Sequence, residues 1–228
     1  MIEFLFLDLD DTILDFHKQE TAAIGKTLQG VGIDPTPETC QLYSKINLRH
    51  WKMLEMGEIT REKLAWHRFQ ELFDTLGVTA DAKATAEYYW DNLSEGYYFL
   101  PGAQDAVKAL AEKYTLYIAS NGTARVQEKR LESADLKRYF AEIFISEHIG
   151  VNKPDKGFFT HCFARIPGFD PQKAMIVGDS ISSDIRGGKN AGIMTCWVNP
   201  KGETAAPQDK PDFEIKSITE LEELLETL

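Results

Sequence analysis

Cysteine is scarce in this sequence, and the scarcity limits what can cross-link the fold. Three cysteines occur in 228 residues, at positions 40, 162 and 196. An odd number at such wide spacing predicts neither a disulfide framework nor a zinc site. Covalent or metal cross-links of these kinds are therefore not expected.

Long apolar runs are missing as well. No run approaches the roughly 20 residues of a transmembrane helix. The N-terminus lacks the basic start and the longer apolar stretch of a signal peptide. We therefore expect a cytoplasmic protein that does not enter a membrane.

Positive charge is also in short supply. The chain has 25 Lys and Arg against 36 Asp and Glu, a net charge of -11. A protein that binds a nucleic-acid polymer needs a basic surface to meet the phosphates, so this class of partner is not expected. A small phosphorylated molecule, held by local donors and a metal ion, remains compatible with the charge. The composition does not predict an oligomeric state.

Short apolar runs alternate with helical patterns through most of the chain, which is typical of a parallel α/β sheet. The runs predict strands at 4–7, 115–119, 143–145, 174–177, 194–198 and 213–215. The intervening patterns predict helices near 103–113, 123–134, 156–165 and 183–191, and from 219 onward. We expect Ser182 or Ser183 to cap the helix at 183–191 and Gly192 to end it.

Residues 16–96 interrupt this alternation because they contain no convincing strand. Their apolar spacing and helix-ending residues predict four helices, near 18–30, 37–56, 60–76 and 80–96. The predicted fold class is therefore α/β, with a Rossmann-like parallel sheet core formed by residues 1–15 and 97–228. The helical block forms an inserted domain, which joins the chain between the first strand and the rest of the core.

Polar residues follow several of the predicted strands. Asp8 follows the first strand, Ser120 and Asn121 the second, and Asp179 the fourth. Ligands of open α/β sheets bind beyond the carboxyl ends of the strands, so these residues are expected to meet there. A cluster of Asp8, Asp10 and Asp179 would repel itself unless a cation lay between the carboxylates. An oxygen-rich site of this kind suits Mg²⁺.

Four motifs in this order resemble those of the haloacid dehalogenase superfamily. They are Asp-x-Asp-x-Thr at residues 8–12, Ser120 closing a strand, Lys153 before a helix, and Gly178-Asp179 with Asp184 five residues later. The resemblance implies a hydrolase core of subfamily I, with a helical cap of the first type (C1) inserted after the first motif.

The same resemblance implies the roles of the residues in a Mg²⁺-dependent phosphatase. Asp8 would be the nucleophile that forms an aspartyl-phosphate, and Asp10 would be the general acid and base. Ser120 and the Asn121 amide would bind the phosphate oxygens. Lys153 would neutralise charge shared between Asp8 and the phosphoryl group.

The implied metal ligands are the carboxylates of Asp8 and Asp179 and the backbone carbonyl of Asp10. Asp184 would support this site without being a principal ligand. Thr12 would brace the Asp8 loop through its hydroxyl. We expect Gly187 and Gly188, which lie inside a helical pattern, to serve close packing against the sheet rather than catalysis.

Other reactions of the superfamily use a related set of residues. A 2-haloacid dehalogenase also uses a nucleophilic aspartate, but it needs no metal and lacks the carboxylate found here at Asp10. A phosphotransferase similar to β-phosphoglucomutase keeps all of these residues and stays open. A sugar-phosphate or phosphoglycolate phosphatase also stays open, because substrate choice in this family depends on the cap.

Two segments of the helical block, 46–51 and 57–60, resemble the YjjG/YfnB-type 5′-nucleotidase branch. That branch contains house-cleaning enzymes that act mainly on pyrimidine nucleotides. The resemblance implies a nucleoside monophosphate as the small-molecule partner. A base needs a flat apolar surface and a few polar groups, and we expect Asn47, Arg49 and Trp51 to line the substrate pocket.

Overall fold

The structure is a computed structural model that describes residues 1–228. The chain forms two compact units. The core unit comprises Met1–Phe16 and Tyr97–Leu228, and the helical unit comprises His17–Gly96. None of the helices is both long enough and apolar enough to cross a membrane.

The core unit contains one sheet of six parallel strands, in the order β3-β2-β1-β4-β5-β6. The strands are β1 (Phe4–Leu7), β2 (Thr115–Ser120), β3 (Glu142–Ile145), β4 (Ala174–Gly178), β5 (Met194–Val198) and β6 (Phe213–Ile215). The six predicted strands are confirmed, each with bounds within about one residue of those expected. The predicted fold class is confirmed with them.

The strand order explains where a ligand can bind. Strand β1 lies between β2 and β4, with Leu7 opposite Ile118 on one side and Val177 on the other. The chain builds outward to β3 and then returns to the other side of β1. Such a reversal opens a crevice at the carboxyl ends of the central strands. The residues after β1, β2 and β4 therefore meet at one edge of the sheet.

Alternation along the strands divides the core into two hydrophobic layers. Leu5 and Leu7 of β1 belong to the layer on one face of the sheet. Phe6 belongs to the layer on the other face, where its ring stacks on Tyr117 with centroids 5.1 Å apart. Both faces are covered by helices, as expected for a parallel sheet. The result is a rigid support for the loops at its carboxyl edge.

Ten α-helices accompany the strands. They are α1 (Phe16–Gly30), α2 (Pro37–Glu55), α3 (Arg61–Leu76), α4 (Ala82–Ser94), α5 (Ala103–Lys113), α6 (Ala124–Ser133), α7 (Ser146–Ile149), α8 (Lys156–Ala164), α9 (Arg186–Ala191) and α10 (Leu221–Leu225). The predicted helices are present, and the one-turn helix α7 is an addition. It was missed because four residues are too few to show a helical period.

The α-helix predicted at 183–191 was wrong in its first three residues. The segment Ile181–Ile185 is a π-helical turn that leads into α9. Its cap is Ser180 rather than Ser182 or Ser183, because the hydroxyl of Ser180 accepts the backbone N–H of Ser183. The end at Gly192 is confirmed: this residue adopts the left-handed conformation that glycine tolerates best.

The close packing expected at Gly188 is confirmed. A Cβ atom at this position would lie 2.4 Å from a methyl carbon of Ile176 and 2.7 Å from one of Thr195. Both neighbours belong to the sheet, so any larger residue would push α9 away from β4 and β5. The glycine thus sets the distance between α9 and the sheet.

The helical unit has its own aromatic core. The rings of Tyr43, Phe69 and Tyr89 lie 5.1 to 5.5 Å apart, one each from α2, α3 and α4. Side-chain caps define the helix starts: Thr36 accepts the N–H of Thr39, and the starts of α3 and α4 are capped in the same way. Local capping and aromatic packing together explain why this segment forms helices.

Candidate active site

Asp8 lies directly after β1 at the carboxyl edge of the sheet. Its backbone N–H donates to the carbonyl of Val177 at 2.9 Å, which continues the pairing of β1 with β4. The residue is buried, with 8% of its surface exposed. The strand pairing therefore fixes the backbone that carries this carboxylate.

Lys153 places a buried cation against Asp8. Its Nζ donates to Asp8 Oδ1 at 2.8 Å, to Asp184 Oδ1 at 2.6 Å and to the carbonyl oxygen of Ala119. Only 1% of the lysine is exposed. All three hydrogen atoms of the ammonium group thus have an acceptor, which is what a buried lysine requires.

Asn121 holds the backbone of Lys153 from both sides. Its side-chain Nδ2 donates to the Lys153 carbonyl, and its Oδ1 accepts the Lys153 N–H, each at 2.9 Å. The sequence predicted that an Asn121 amide contacts phosphate. The side-chain amide holds the loop that carries Lys153, and contact of an Asn121 amide with phosphate stays a prediction.

Asp179 and Asp184 complete an acidic cluster with Asp8. One carboxylate oxygen from each residue lies within 4.8 Å of the others. The N–H of Ser180 donates to Asp184 Oδ2 at 3.0 Å and orients that side chain. Gly178 is required here because a Cβ atom would lie 2.2 Å from the same oxygen. The Gly-Asp motif therefore makes room for the second aspartate.

With its three carboxyl groups ionised, the acidic cluster carries three negative charges against the one positive charge of Lys153. The pKa of Asp8 is raised to about 8, mainly by burial. The charge of Lys153 lowers this pKa, whereas the charges of Asp184 and Asp10 raise it further. Burial also raises the pKa of Asp179 well above its ordinary value, and Asp8 and Asp184 contribute in the same direction. A further cation beside Asp8 and Asp179 would favour the ionised forms of both carboxyl groups at neutral pH.

The neighbouring carboxylates keep the ammonium group of Lys153 protonated. Burial by itself lowers the pKa of its ammonium group, but the charges of Asp184 and Asp8 outweigh burial and raise the pKa above the ordinary value. The lysine therefore stays charged at any physiological pH. It supplies one fixed positive charge to the cluster.

The donor set of the cluster fits a hard divalent cation. It offers carboxylate oxygens at the edge of a crevice, with no sulfur or imidazole ligand among them. Mg²⁺ prefers one or two carboxylates together with waters and a substrate oxygen. The surplus negative charge gives such a cation an electrostatic reason to bind.

The carboxylate of Asp10 is hydrogen-bonded to two residues of α6. Arg130 Nη1 donates to its Oδ1 at 2.5 Å, and Gln127 Nε2 donates to its Oδ2 at 2.7 Å. Ser120 is buried beside them, and its Oγ accepts from Gln127 Nε2 at 2.9 Å and from the N–H of Gly122 at 3.0 Å. Asp10 and Ser120 are thus connected through one glutamine.

Asp11 and Thr12 shape the loop after Asp10. Asp11 has a positive φ of 55°, and its carboxylate accepts the N–H of Phe16 at 3.0 Å, as a turn residue does. Thr12 is fully buried, but its hydroxyl has no hydrogen-bond partner. No hydrogen bond of that hydroxyl supports the expected brace, which stays a prediction.

The three residues expected to line a substrate pocket lie on α2, in different surroundings. Asn47 is 2% exposed, donates to Glu20 Oε1 and accepts from Arg68 Nη1, both at 2.6 Å. Arg49 is exposed and forms an ion pair with Glu71. Trp51 is half-buried, and the guanidinium group of Arg61 lies above its ring. Asn47 thus belongs to the interior of the helical unit.

Sequence reasoning missed Gln127 and Arg130. They lie three positions apart on α6, so their side chains share one face of that helix. Nothing marks them in the sequence, because α6 also carries Arg125, Glu128, Lys129 and Glu132, which are all exposed. Burial separates the two groups, and burial follows from the tertiary structure.

Comparison with known proteins gives consistent results. Residues 5–198 match the family of haloacid dehalogenase-like hydrolases. The pyrimidine 5′-nucleotidase PynA of Streptococcus pneumoniae is 36% identical over 98% of this chain and 95% of its own. The pyrimidine 5′-nucleotidase YjjG of Escherichia coli is 30% identical over 98% and 97%.

A solved structure of the HAD-hydrolase YfnB from Bacillus subtilis, bound to magnesium, is also similar to this chain. It is 37% identical, covers 98% of each chain and superposes with a TM-score of 0.94. The family prediction made from the four motifs is confirmed by this likeness and by the match over residues 5–198. The chain belongs to the haloacid dehalogenase-like hydrolase family.

Proposed function

We propose that this protein is a Mg²⁺-dependent phosphomonoester hydrolase that acts through an aspartyl-phosphate at Asp8. One observation carries the proposal. Lys153 is buried between Asp8 and Asp184 at 2.8 and 2.6 Å, and Asp179 adds a third carboxylate to the same cluster. A nucleophilic carboxylate beside a fixed cation and a metal-binding acidic group suits attack on an anionic phosphate.

The reaction has two balanced steps. In the first, a carboxylate oxygen of Asp8 bonds to phosphorus, the bond from phosphorus to the ester oxygen breaks, and Asp10 gives a proton to that oxygen. In the second, water attacks the phosphorus, the bond from phosphorus to the Asp8 oxygen breaks, and Asp10 takes a proton from the water. Free phosphate leaves, and the carboxylate of Asp8 and the carboxylic acid of Asp10 are restored.

The remaining residues of the edge stabilise charge. Lys153 compensates the charge that Asp8 and the phosphoryl group share, and its ammonium group already lies 2.8 Å from Asp8. Ser120 and the backbone of Asn121 bind the non-bridging oxygens. A metal ion bound there supplies electrostatic stabilisation of the phosphoryl oxygens. Asp8, Asp179 and the Asp10 carbonyl would hold it, with Asp184 in support.

The proposed substrates are pyrimidine nucleoside 5′-monophosphates. PynA and YjjG, the two relatives that bear this activity in their names, align with 98% of this chain, including the whole helical unit. We keep Arg49 and Trp51 as proposed substrate contacts. Asn47 has both of its amide atoms engaged by Glu20 and Arg68, so we assign it to the stability of the helical unit.

We also propose the cytoplasm as the compartment. The three cysteines are free thiols, and two of them, Cys162 and Cys196, are buried. Unpaired thiols are typical of proteins kept in a reducing environment. The partner in this proposal is a small phosphorylated molecule, without a nucleic-acid polymer or a membrane.

A substrate panel with Mg²⁺ tests the proposal. Phosphate release is measured for nucleoside 5′-monophosphates, hexose phosphates and phosphoglycolate, with Asp8→Asn protein as the blank for contaminating phosphatases. We expect the highest kcat/KM with a pyrimidine nucleotide. A preference for phosphoglycolate or a sugar phosphate would overturn the substrate class. Transfer of phosphate between sugars without its release would overturn the hydrolase assignment in favour of a mutase.

A further inference from the structure

The side chain of Asp10 is held by two buried residues of α6. Arg130 donates to one carboxylate oxygen at 2.5 Å, and Gln127 donates to the other at 2.7 Å. Both carboxylate oxygens therefore have a donor, and both donors come from one short helix. Gln127 is 1% exposed and Arg130 is fully buried.

The amide of Gln127 can take only one orientation in this network. Its Nε2 group donates to Asp10 and to the hydroxyl of Ser120, at 2.7 and 2.9 Å. Its Oε1 accepts from Arg130 Nη1 at 2.9 Å. A flipped amide would place an oxygen against a carboxylate and an NH₂ group against a guanidinium. The donor pattern therefore fixes Gln127, and Gln127 fixes its neighbours.

Arg130 gives the network its energetic weight. Its Nε and Nη2 atoms are buried without a hydrogen-bond partner, so Asp10 provides the counter-charge of this cation. A buried guanidinium that loses its carboxylate is strongly destabilised. Any movement of Asp10 away from α6 is therefore opposed by Arg130. The ring centroid of Phe16 lies 5.9 Å from Cζ of Arg130, so this ring packs against the guanidinium group.

We propose that Gln127 and Arg130 are positioning residues that set the direction of the Asp10 carboxylate. This inference rests on the proposed function, in which Asp10 is the acid and base. Gln127 adds a second effect, because it also holds Ser120, the proposed phosphate-binding hydroxyl. The two groups that meet the phosphate ester at its non-bridging and leaving oxygens are thus held in one mutual geometry.

The consequence for catalysis depends on the leaving group. A nucleoside 5′-oxygen needs a proton as it departs, whereas p-nitrophenolate departs without one. An acid acts only within hydrogen-bond reach of its target, and a displacement of about 1 Å can cost about 100-fold in rate. If Gln127 and Arg130 no longer position Asp10, the rate of hydrolysis should therefore fall more for nucleotides than for p-nitrophenyl phosphate.

The experiment compares kcat/KM for both substrates in two variants, Gln127→Met and Arg130→Lys. Methionine keeps the length of glutamine but donates no hydrogen bond, and lysine keeps the charge but loses the planar fork. Lys129→Gln, an exposed change on the same helix, is the matched control. Circular dichroism checks folding, and the inhibition constant of inorganic phosphate measures the separate effect on Ser120.

We expect the ratio of kcat/KM for the nucleotide to that for p-nitrophenyl phosphate to fall at least about fivefold in both variants, and to stay unchanged in the control. A smaller change in that ratio in either folded variant would overturn the positioning role. The proposed function is judged separately. It fails if wild-type protein releases no phosphate from either substrate or if Asp8→Asn protein retains turnover.

Discussion

Each unit of this protein buries a charged network, and the two networks differ in charge balance. In the core unit, Asp8, Asp179 and Asp184 surround the single ammonium group of Lys153. In the helical unit, one carboxylate and one guanidinium are joined through the amide of Asn47. The first network has surplus negative charge when its carboxyl groups are ionised, while the charges of the second network cancel.

The helical network supplies hydrogen-bond partners for its own carboxylate and amide. Glu20 accepts from Asn47 and from Ser44, both at 2.6 Å, and Asn47 accepts from Arg68 at the same distance. The ring centroids of Phe69 and Tyr89 lie 5.3 and 5.0 Å from Cζ of Arg68. The comparison teaches that burial of charge alone does not identify a catalytic site. A cluster whose carboxylates outnumber its cations is a more reliable sign of a catalytic site.

The largest expected effect is that of Asp8→Asn in the unbalanced network. We expect turnover to fall at least about 10⁴-fold, because the amide cannot form an acyl phosphate. The fold should survive, since Lys153 keeps Asp184 as a partner and the surplus negative charge decreases. Phosphate release and circular dichroism measure the two quantities. Activity within about tenfold of wild type would refute the nucleophile assignment.

The next effect is that of Lys153→Met, which removes the fixed cation. We expect kcat/KM to fall about 10²- to 10³-fold, as for other preorganised electrostatic groups. In the presence of a chelator the variant should also melt at a lower temperature than wild type. Lys156→Met, an exposed change three residues away, is the control and should leave both quantities near wild type. Equal effects of the two substitutions would contradict the assigned role of Lys153.

The balanced network should respond in stability. Glu20→Gln leaves the buried charge of Arg68 without a counter-charge, so the free energy of unfolding is expected to fall by about 3 kcal/mol. Urea denaturation measures this. The control is Glu95→Gln, which breaks the exposed Lys26–Glu95 pair at 3.2 Å and should cost less than about 1 kcal/mol. Similar losses in both variants would show that the buried network contributes no more to the free energy of unfolding than an exposed ion pair.

The smallest effect concerns Mg²⁺ binding to the wild-type protein. At about 100 times the dissociation constant, the ion should add about 2.7 kcal/mol to the free energy of unfolding. That corresponds to a rise in Tm of roughly 5 to 11 °C for a chain of this size. Thermal melts with Mg²⁺ and with a chelator provide the measurement. No difference between the two melts would argue against a metal site in the acidic cluster.

The pH dependence of that stabilisation follows from Asp8. Without a cation, burial raises the pKa of Asp8 to about 8 from an ordinary value of 3.8. The folded state therefore binds the proton more tightly than the unfolded state, and this contribution is lost as the pH rises towards 8. Mg²⁺ favours the ionised form, so the rise in Tm should be larger at pH 8 than at pH 5. A rise of the same size at both pH values would contradict this coupling.

Much of the fold could be predicted from local pattern. The strand segments are short and apolar, and the helical segments carry clear caps and glycine ends, so all six strands were located. The exceptions are segments whose shape depends on contacts. The π-helical turn at Ile181–Ile185 forms where Asp184 must reach both Lys153 and the N–H of Ser180.

The site shows the same division between local and tertiary information. Positions at strand ends pointed to Asp8, Ser120 and Asp179, because residues at the carboxyl ends of neighbouring parallel strands share one edge. Lys153 came from the family resemblance. Neither the positions nor the resemblance could show that the Asp10 side chain turns towards α6. A strand ending leaves a side chain several rotamers, and the choice among them depends on Gln127 and Arg130.

By itself, the sequence determined the kind of sheet, the helical insertion and the acidic residues at the strand ends. These depend on apolar periodicity and on chain connectivity, which are local or topological. Only the tertiary structure decided which charges are balanced: Asn47 joins Glu20 to Arg68, whereas Asp8 and its neighbours keep a surplus. Charge balance depends on distance and burial in three dimensions, and residues far apart in the chain set both.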